Sequence, residues 1–112
     1  MTVNLEGFSE EDQKLFTLAR ATKVRNNVAQ SAAVRDITGR TYTATLVALE
    51  ALNLDALQSV VAAAISSGAI GLEAAVVVGH APSQVARIAL FEFAGAIPLW
   101  HEDEIGRVGL VN

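Results

Sequence analysis

Apolar side chains in the first quarter of the chain recur with the period of a helix. Leu15, Leu18 and Ala19 fall three or four positions apart, and the methyl of Thr22 extends the same face, so one buried stripe is predicted. Ser9 followed by Glu10, Glu11 and Asp12 has the form of a capping box, with acidic residues at the positive end of the helix dipole. The helix runs to about Arg25, and Asn26 and Asn27 end it. The period then shortens to two. Residues 31–36 and 41–47 read as strands, the second with Tyr42, Ala44 and Leu46 alternating with Thr41, Thr43 and Thr45. Ile37, Thr38, Gly39 and Arg40 turn the pair into a hairpin.

A second helix is predicted from Asn53, a plausible N-cap, to Ser66 and Ser67, with Gly68 in the C-terminal capping position. It is apolar nearly all round, the mark of a helix covered on more than one side. A sheet can cover one side, and Ala62, Ala63 and Ala64 would let another subunit approach the other. Residues 72–78 are apolar apart from Glu73 and end at Gly79, as expected for a central strand buried on both faces. Pro82 suits the first position of a third helix and Gly95 the position just past its end. A fourth strand is expected at 97–100, a turn through "HEDE" (101–104) to Gly106, and a short fifth strand at 107–111. Helices alternating with strands make this an α/β domain with a mostly parallel sheet, to which the opening hairpin adds an antiparallel member. No internal repeat, low-complexity stretch or linker interrupts it, so residues 1–112 read as a single domain.

Composition adds two constraints. Apolar residues make up 52% of the chain and charged ones only 18%, a surplus that points to subunit contacts. The longest uncharged run, 56–72, contains Gln58, Ser59, Ser66, Ser67 and two glycines, so it is too polar and too short to cross a bilayer. The opening residues lack the basic-then-apolar pattern of a secretory signal, and the expected location is the cytoplasm. A formal charge of -4 argues against nucleic acid as a partner, because that binding requires many Lys and Arg residues to neutralise phosphates. The one basic cluster, Lys14, Arg20, Lys23 and Arg25, lies mostly toward the C-terminal end of the first helix, where cations complement the dipole. Cysteine is absent, which removes disulfides, thiolate nucleophiles and cysteine-ligated metals together. His80 and His101 are the only histidines.

The segments "AAVRDITGRTYTA", "AAAISSG", "LEAAVVVG" and "APSQVARIALFEFAG" resemble, in order and spacing, the small nucleoside deaminases of the cytidine deaminase family. The resemblance covers roughly residues 9–108 and is strongest to the short, alanine-rich cytidine-deaminase-like proteins of actinobacteria. It implies a three-layer α-β-α fold with a mixed sheet of four to five strands. In that family a zinc ion lowers the pKa of a bound water and a glutamate shuttles its proton. The groups sit at two helix N-termini, as C-A-E or H-A-E and as P-C-x-x-C.

Counting back from Gly68, the first motif falls on Asp55, Ala56 and Leu57; counting back from Phe93, the second falls on Pro82, Ser83, Gln84, Val85 and Ala86. The family's ribose-binding N-V-E-N falls on Leu46, Val47, Ala48 and Leu49. The resemblance therefore implies a degenerate member with no catalytic residue, no metal and no cofactor, and a vestigial pocket of Leu46, Leu49, Asp55, Leu57, Ser83 and Ala86. Asp55 would remain as a structural carboxylate at a positive helix end. The family's habit of assembling implies a homo-oligomer, dimer or tetramer, with Trp100 and Phe93 as candidate interface anchors. The expected function is that of a non-catalytic homologue acting by self-assembly or partner binding. Two alternatives stay open. One is a small-ligand or nucleoside-binding module anchored by Asp55, Ser83 and Gln84. The other is a rebuilt hydrolase using Asp55, His80 and either His101 or Glu102, with the oxygen donors of "HEDE" suited to magnesium or manganese.

Overall fold

Five strands form the central sheet in the order β2-β1-β5-β6-β7 in this computed structural model, which describes residues 9–111. The chain runs α1 (Glu10–Asn26), β1 (Gln30–Asp36), β2 (Thr41–Thr45), the two-residue strands β3 (Val47–Ala48) and β4 (Asn53–Leu54), α2 (Ala56–Ser66), β5 (Leu72–Gly79), α3 (Gln84–Ala94), β6 (Leu99–Glu102) and β7 (Val108–Leu110). Alternation along β1 and β5 divides the core in two. Ala33, Ala74, Val76, Val78 and Trp100 face Leu15, Phe16 and Ala19 of α1. Ala32, Val34, Ala75, Val77 and Leu99 face Leu57, Val60, Val61 and Ala64 of α2 together with Ala86 and Leu90 of α3. The result is the expected three-layer α-β-α domain, with β5 buried on both faces. Among the described residues no helix is long and apolar enough to cross a membrane.

The sheet is mixed rather than mostly parallel. Among the described residues only β5 and β6 pair in parallel; β1 is antiparallel to both β2 and β5, and β7 is antiparallel to β6. The helical connection through α2 does return the chain in the direction of β2. However, β1 already occupies the inner side of β2, so β5 must pair with β1, which runs the other way.

Several boundaries also move, each for a local reason. Phe16 rather than Leu18 completes the buried face of α1, because positions 12, 15, 16, 19 and 22 share one side of the helix. The predicted strand 41–47 breaks after Thr45 into β2 and β3. Asn53 belongs to β4, where it pairs with Ala48, and α2 starts two residues later behind Asp55. Pro82 lies outside α3, whose N-cap is Ser83. The fourth strand is shifted to 99–102 by the register Ala75↔Leu99, which takes His101 and Glu102 out of the expected turn. Trp100 is core beneath α1 and not an exposed anchor, and Phe93 packs half-buried against the α2 side. The second cover expected for α2 comes in part from α3, while Ala62 and Ile65 stay exposed.

Two hairpins use the same five-residue turn, Asp-x-x-Gly-Arg. In "DITGR" the Asp36 N–H donates to Arg40 O at 2.8 Å, and Asp36 Oδ1 accepts from the N–H groups of Thr38 and Arg40 at 2.9 and 3.0 Å. In "DEIGR" the Asp103 N–H donates to Arg107 O at 2.8 Å, and Asp103 Oδ1 accepts from Ile105 and Arg107 at 3.0 and 2.8 Å. Gly39 and Gly106 take φ of 91° and 89°, which side chains disfavour.

Candidate functional site at two helix tips

The N-termini of α2 and α3 meet at the end of β5. Helix α2 starts where it does because Asp55 and Gln58 cap one another. Asp55 Oδ1 accepts the Gln58 N–H at 2.8 Å, and Gln58 Oε1 accepts the Asp55 N–H at 2.9 Å. Helix α3 starts behind Ser83, whose hydroxyl accepts the Ala86 N–H at 3.1 Å. The second oxygen of Asp55 then crosses the gap: Oδ2 accepts the backbone N–H of Ser83 at 2.8 Å. One carboxylate thus lies between two positive helix ends, each of which favours a negative charge.

A second side chain crosses the same gap. Gln30, the first residue of β1 and only 3% exposed, accepts the Ala56 N–H through Oε1 at 2.8 Å. Its amide Nε2 donates to His80 O at 2.9 Å and to Ala81 O at 3.1 Å. Gln30 therefore satisfies one of the free N–H groups of α2 and two carbonyls of the loop that leads into α3. The sequence reading started this strand one residue later and missed Gln30. Its only sequence signal is an uncharged polar residue at the mouth of a buried strand.

Of the six pocket residues expected from the sequence, three come together. Leu46, Asp55 and Ser83 line an open cleft of about 260 Å³ with Gln30, Asn53, Leu54, His80 and Ala81. Leu57 and Ala86 are 0% exposed and lie in the core behind the tips. Leu49 is 63% exposed in the turn between β3 and β4, where its N–H donates to Leu52 O, and it does not reach the cleft. Gln84, one of the polar anchors considered, opens α3 as an exposed residue and is not in the lining.

The cleft also holds an aspartate, a histidine and a serine, the residue types of a nucleophilic triad, but they are wired to other partners. Both Asp55 oxygens accept backbone N–H groups, the Ser83 hydroxyl caps α3, and His80 Nε2 lies 3.6 Å from Glu104 Oε1 at the surface. His101 Nε2 donates to Gly79 O at 2.7 Å. Glu102 accepts from Arg20 Nε with both oxygens, at 2.9 and 3.0 Å, and this pairing raises the guanidinium pKa above its ordinary value. Among the described residues no three His, Asp or Glu side chains gather closely enough to hold a metal ion. The set Asp55, His80, His101 and Glu102 is therefore not assembled into one centre.

A family model described as cytidine deaminase-like matches residues 8–106. The chain belongs to the cytidine deaminase-like family. Solved structures agree on the fold. Cytidine deaminase from Burkholderia pseudomallei is 19% identical and superposes with a TM-score of 0.76, over 89% of this chain and 91% of that one. The Mycobacterium leprae enzyme is 22% identical with a TM-score of 0.68, covering 97% and 94%. Cytidine deaminase from Bacillus anthracis is 14% identical with a TM-score of 0.71, covering 92% and 83%. No curated protein matches the chain.

The donor atoms at the tips do not fit the zinc that the family's chemistry uses. Zinc needs several nitrogen, sulfur or oxygen donors with free lone pairs aimed at one point. Leu57 and Ala86 have no donor atom and the Ser83 hydroxyl is engaged as a cap, which leaves the Asp55 carboxylate alone among these positions, too few donors for the ion.

Proposed function

We propose that this member of the cytidine deaminase-like family is non-catalytic and works by self-assembly or by binding another protein. The observation that supports the reading is the Asp55 carboxylate, bound by N–H groups of both helix tips at 2.8 Å, at the position where the resemblance would put a metal ligand. Hydrolytic deamination at neutral pH depends on a metal that takes water from a pKa of roughly 15.7 to about 7. No side chain at these tips supplies an equivalent, and the position expected for a proton-shuttling glutamate is Leu57, buried in the core. Purified protein is expected to contain less than about 0.1 zinc per chain and to release no ammonia from cytidine. One zinc per chain together with turnover sinks the reading.

Support for assembly comes from α3. Val85, Ile88 and Phe91 are 62, 58 and 65% exposed and recur every three residues along one face. Phe91 also borders an apolar cleft of about 290 Å³ formed with Leu90, Ile97, Leu99 and Val111. Contiguous exposed apolar surface of this kind marks a contact site on a small domain. Light scattering is expected to give a dimer or tetramer at micromolar concentration, and a monomer would dispose of the assembly part.

A second reading, a small-ligand module, is favoured by the cleft at the tips, where Leu46 and Leu54 offer apolar walls beside Asn53 and Ser83. A thermal-shift series with pyrimidine nucleosides tests it. A concentration-dependent rise in Tm supports binding, and a flat response rejects it.

A further inference from the structure

We propose that Asp55 and Gln30 form a built-in, metal-independent cross-link between the tips of α2 and α3, so that this chain needs no ion to hold the two helices in register. The proposal goes beyond the non-catalytic reading, because an inert protein could leave the two tips unconnected.

Three features of the molecule carry it. First, the two oxygens of Asp55 serve different helices. Oδ1 caps α2 at Gln58, a contact of |i−j|=3, and Oδ2 reaches Ser83 across |i−j|=28. A residue needed only as a cap would use one oxygen locally and leave the other to water. Second, Gln30 repeats the connection from the sheet side, with Oε1 on the first N–H of α2 and Nε2 on two carbonyls just before α3. The bond to Ala56 is buried and so shielded from competing water, while the two to the loop carbonyls are part-buried. Third, the charge has the sign that the location favours. Both helix ends present unpaired N–H groups, so a fixed carboxylate completes the site, whereas a cation there would need anionic ligands to offset the two dipoles. Asp55 is the only ionisable residue between Glu50 and Glu73, which leaves no nearby acidic side chain of α2 to bring in such an ion.

The experiment combines hydrogen exchange with melting. In the unmodified protein the Ser83 amide is expected to be protected although Ser83 itself is exposed, and Tm is expected to be the same with a chelator or with equimolar zinc. Asp55→Ala is expected to lower Tm by roughly 4–8 °C, the scale for losing one capping interaction in a domain of this size. It should also raise the exchange rate of the Ser83 amide by at least about tenfold. Ser83→Ala keeps the backbone N–H and removes only the cap of α3, so the residue-83 amide should stay protected. The cavity left in Asp55→Ala is flanked by two N–H donors, and formate is expected to restore part of the lost Tm where chloride at equal ionic strength does not. If Asp55→Ala does not fold, Asp55→Asn carries the test in another form: one amide oxygen cannot serve both donors, so either the Gln58 or the Ser83 amide should exchange faster. Unchanged Ser83 exchange in Asp55→Ala, or unchanged exchange of both amides in Asp55→Asn, overturns the cross-link. A fall in Tm on chelation overturns the metal independence. Neither outcome depends on whether cytidine is turned over.

Discussion

The side-chain carbonyl of Gln30 accepts the backbone N–H of Ala56 at 2.8 Å, joining the first residue of β1 to the first residue of α2. Gln30→Ala strands that buried N–H and removes the partner of the part-buried carbonyls of His80 and Ala81. The expected loss is about 2–3 kcal/mol, on the scale of leaving buried polar groups unsatisfied. Urea titration should show a lower midpoint with an unchanged m-value. A loss below about 0.5 kcal/mol would mean that water replaces the amide without cost.

Gly79 and Gly39 both have positive φ, 100° and 91°, but they differ in surroundings. A Cβ at Gly39 meets nothing within 4 Å, whereas one at Gly79 overlaps the carbonyl oxygen of Ala29. Gly39→Ala should therefore lose only backbone strain, about 1–2 kcal/mol. Gly79→Ala adds a steric conflict with backbone and should lose about 3–5 kcal/mol. Thermal melts of the two variants side by side check the order.

Acid stability should report on the first Asp-x-x-Gly-Arg turn. The Thr38 hydroxyl, then the Tyr42 hydroxyl and the N–H groups of Arg40 and Thr38, outweigh burial and lower the Asp36 pKa from 3.8 to about 2. The folded protein thus binds this proton less readily than the unfolded chain. The stability it contributes is fully present above about pH 4 and is lost as pH falls toward about 2. Asp36→Asn should flatten stability against pH in that window and lower it at pH 7. Tyr42 shifts the opposite way, raised above 10.0 first by its bond to Asp36, so its contribution fades only in strong alkali.

Placing a glutamate at position 57 should not confer deaminase chemistry. Leu57 is fully buried in the apolar cluster on the α2–α3 side of the sheet. Leu57→Glu places an unpaired charge there and should destabilise the fold by about 3–5 kcal/mol. Melting curves and an ammonia-release assay together test this, and gain of turnover would overturn it.

The α3 face offers a test of assembly that leaves the core alone. Ile88→Lys combined with Phe91→Glu changes only exposed positions. The variant should keep the unmodified protein's circular dichroism and melt, and should sediment as a monomer where the unmodified protein forms the larger species.

Much of the architecture was legible before any coordinates. Ser9 with its acidic followers, Gly95, and the apolar run into Gly79 mark element ends and kinds through interactions within a few residues, and the structure keeps all three. The sequence also marks Asp55 as a carboxylate at a helix start, although the cap it suggests is Asn53 and the cap in the structure is Asp55. Leu46, Asp55 and Ser83 line one cleft, and Leu49 lies outside it because the chain folds back between β3 and β4 there.

What the sequence determined by itself is the set of elements and their chemical character, because periodicity, caps and turns are short-range preferences written in neighbouring residues. The tertiary structure alone decided that β1 separates β2 from β5, that Gln30 reaches Ala56, and that the free oxygen of Asp55 meets Ser83. Those outcomes join residues far apart in the chain. No local pattern encodes such pairs; they follow from which buried faces and unpaired N–H groups the packed layers bring within bonding distance.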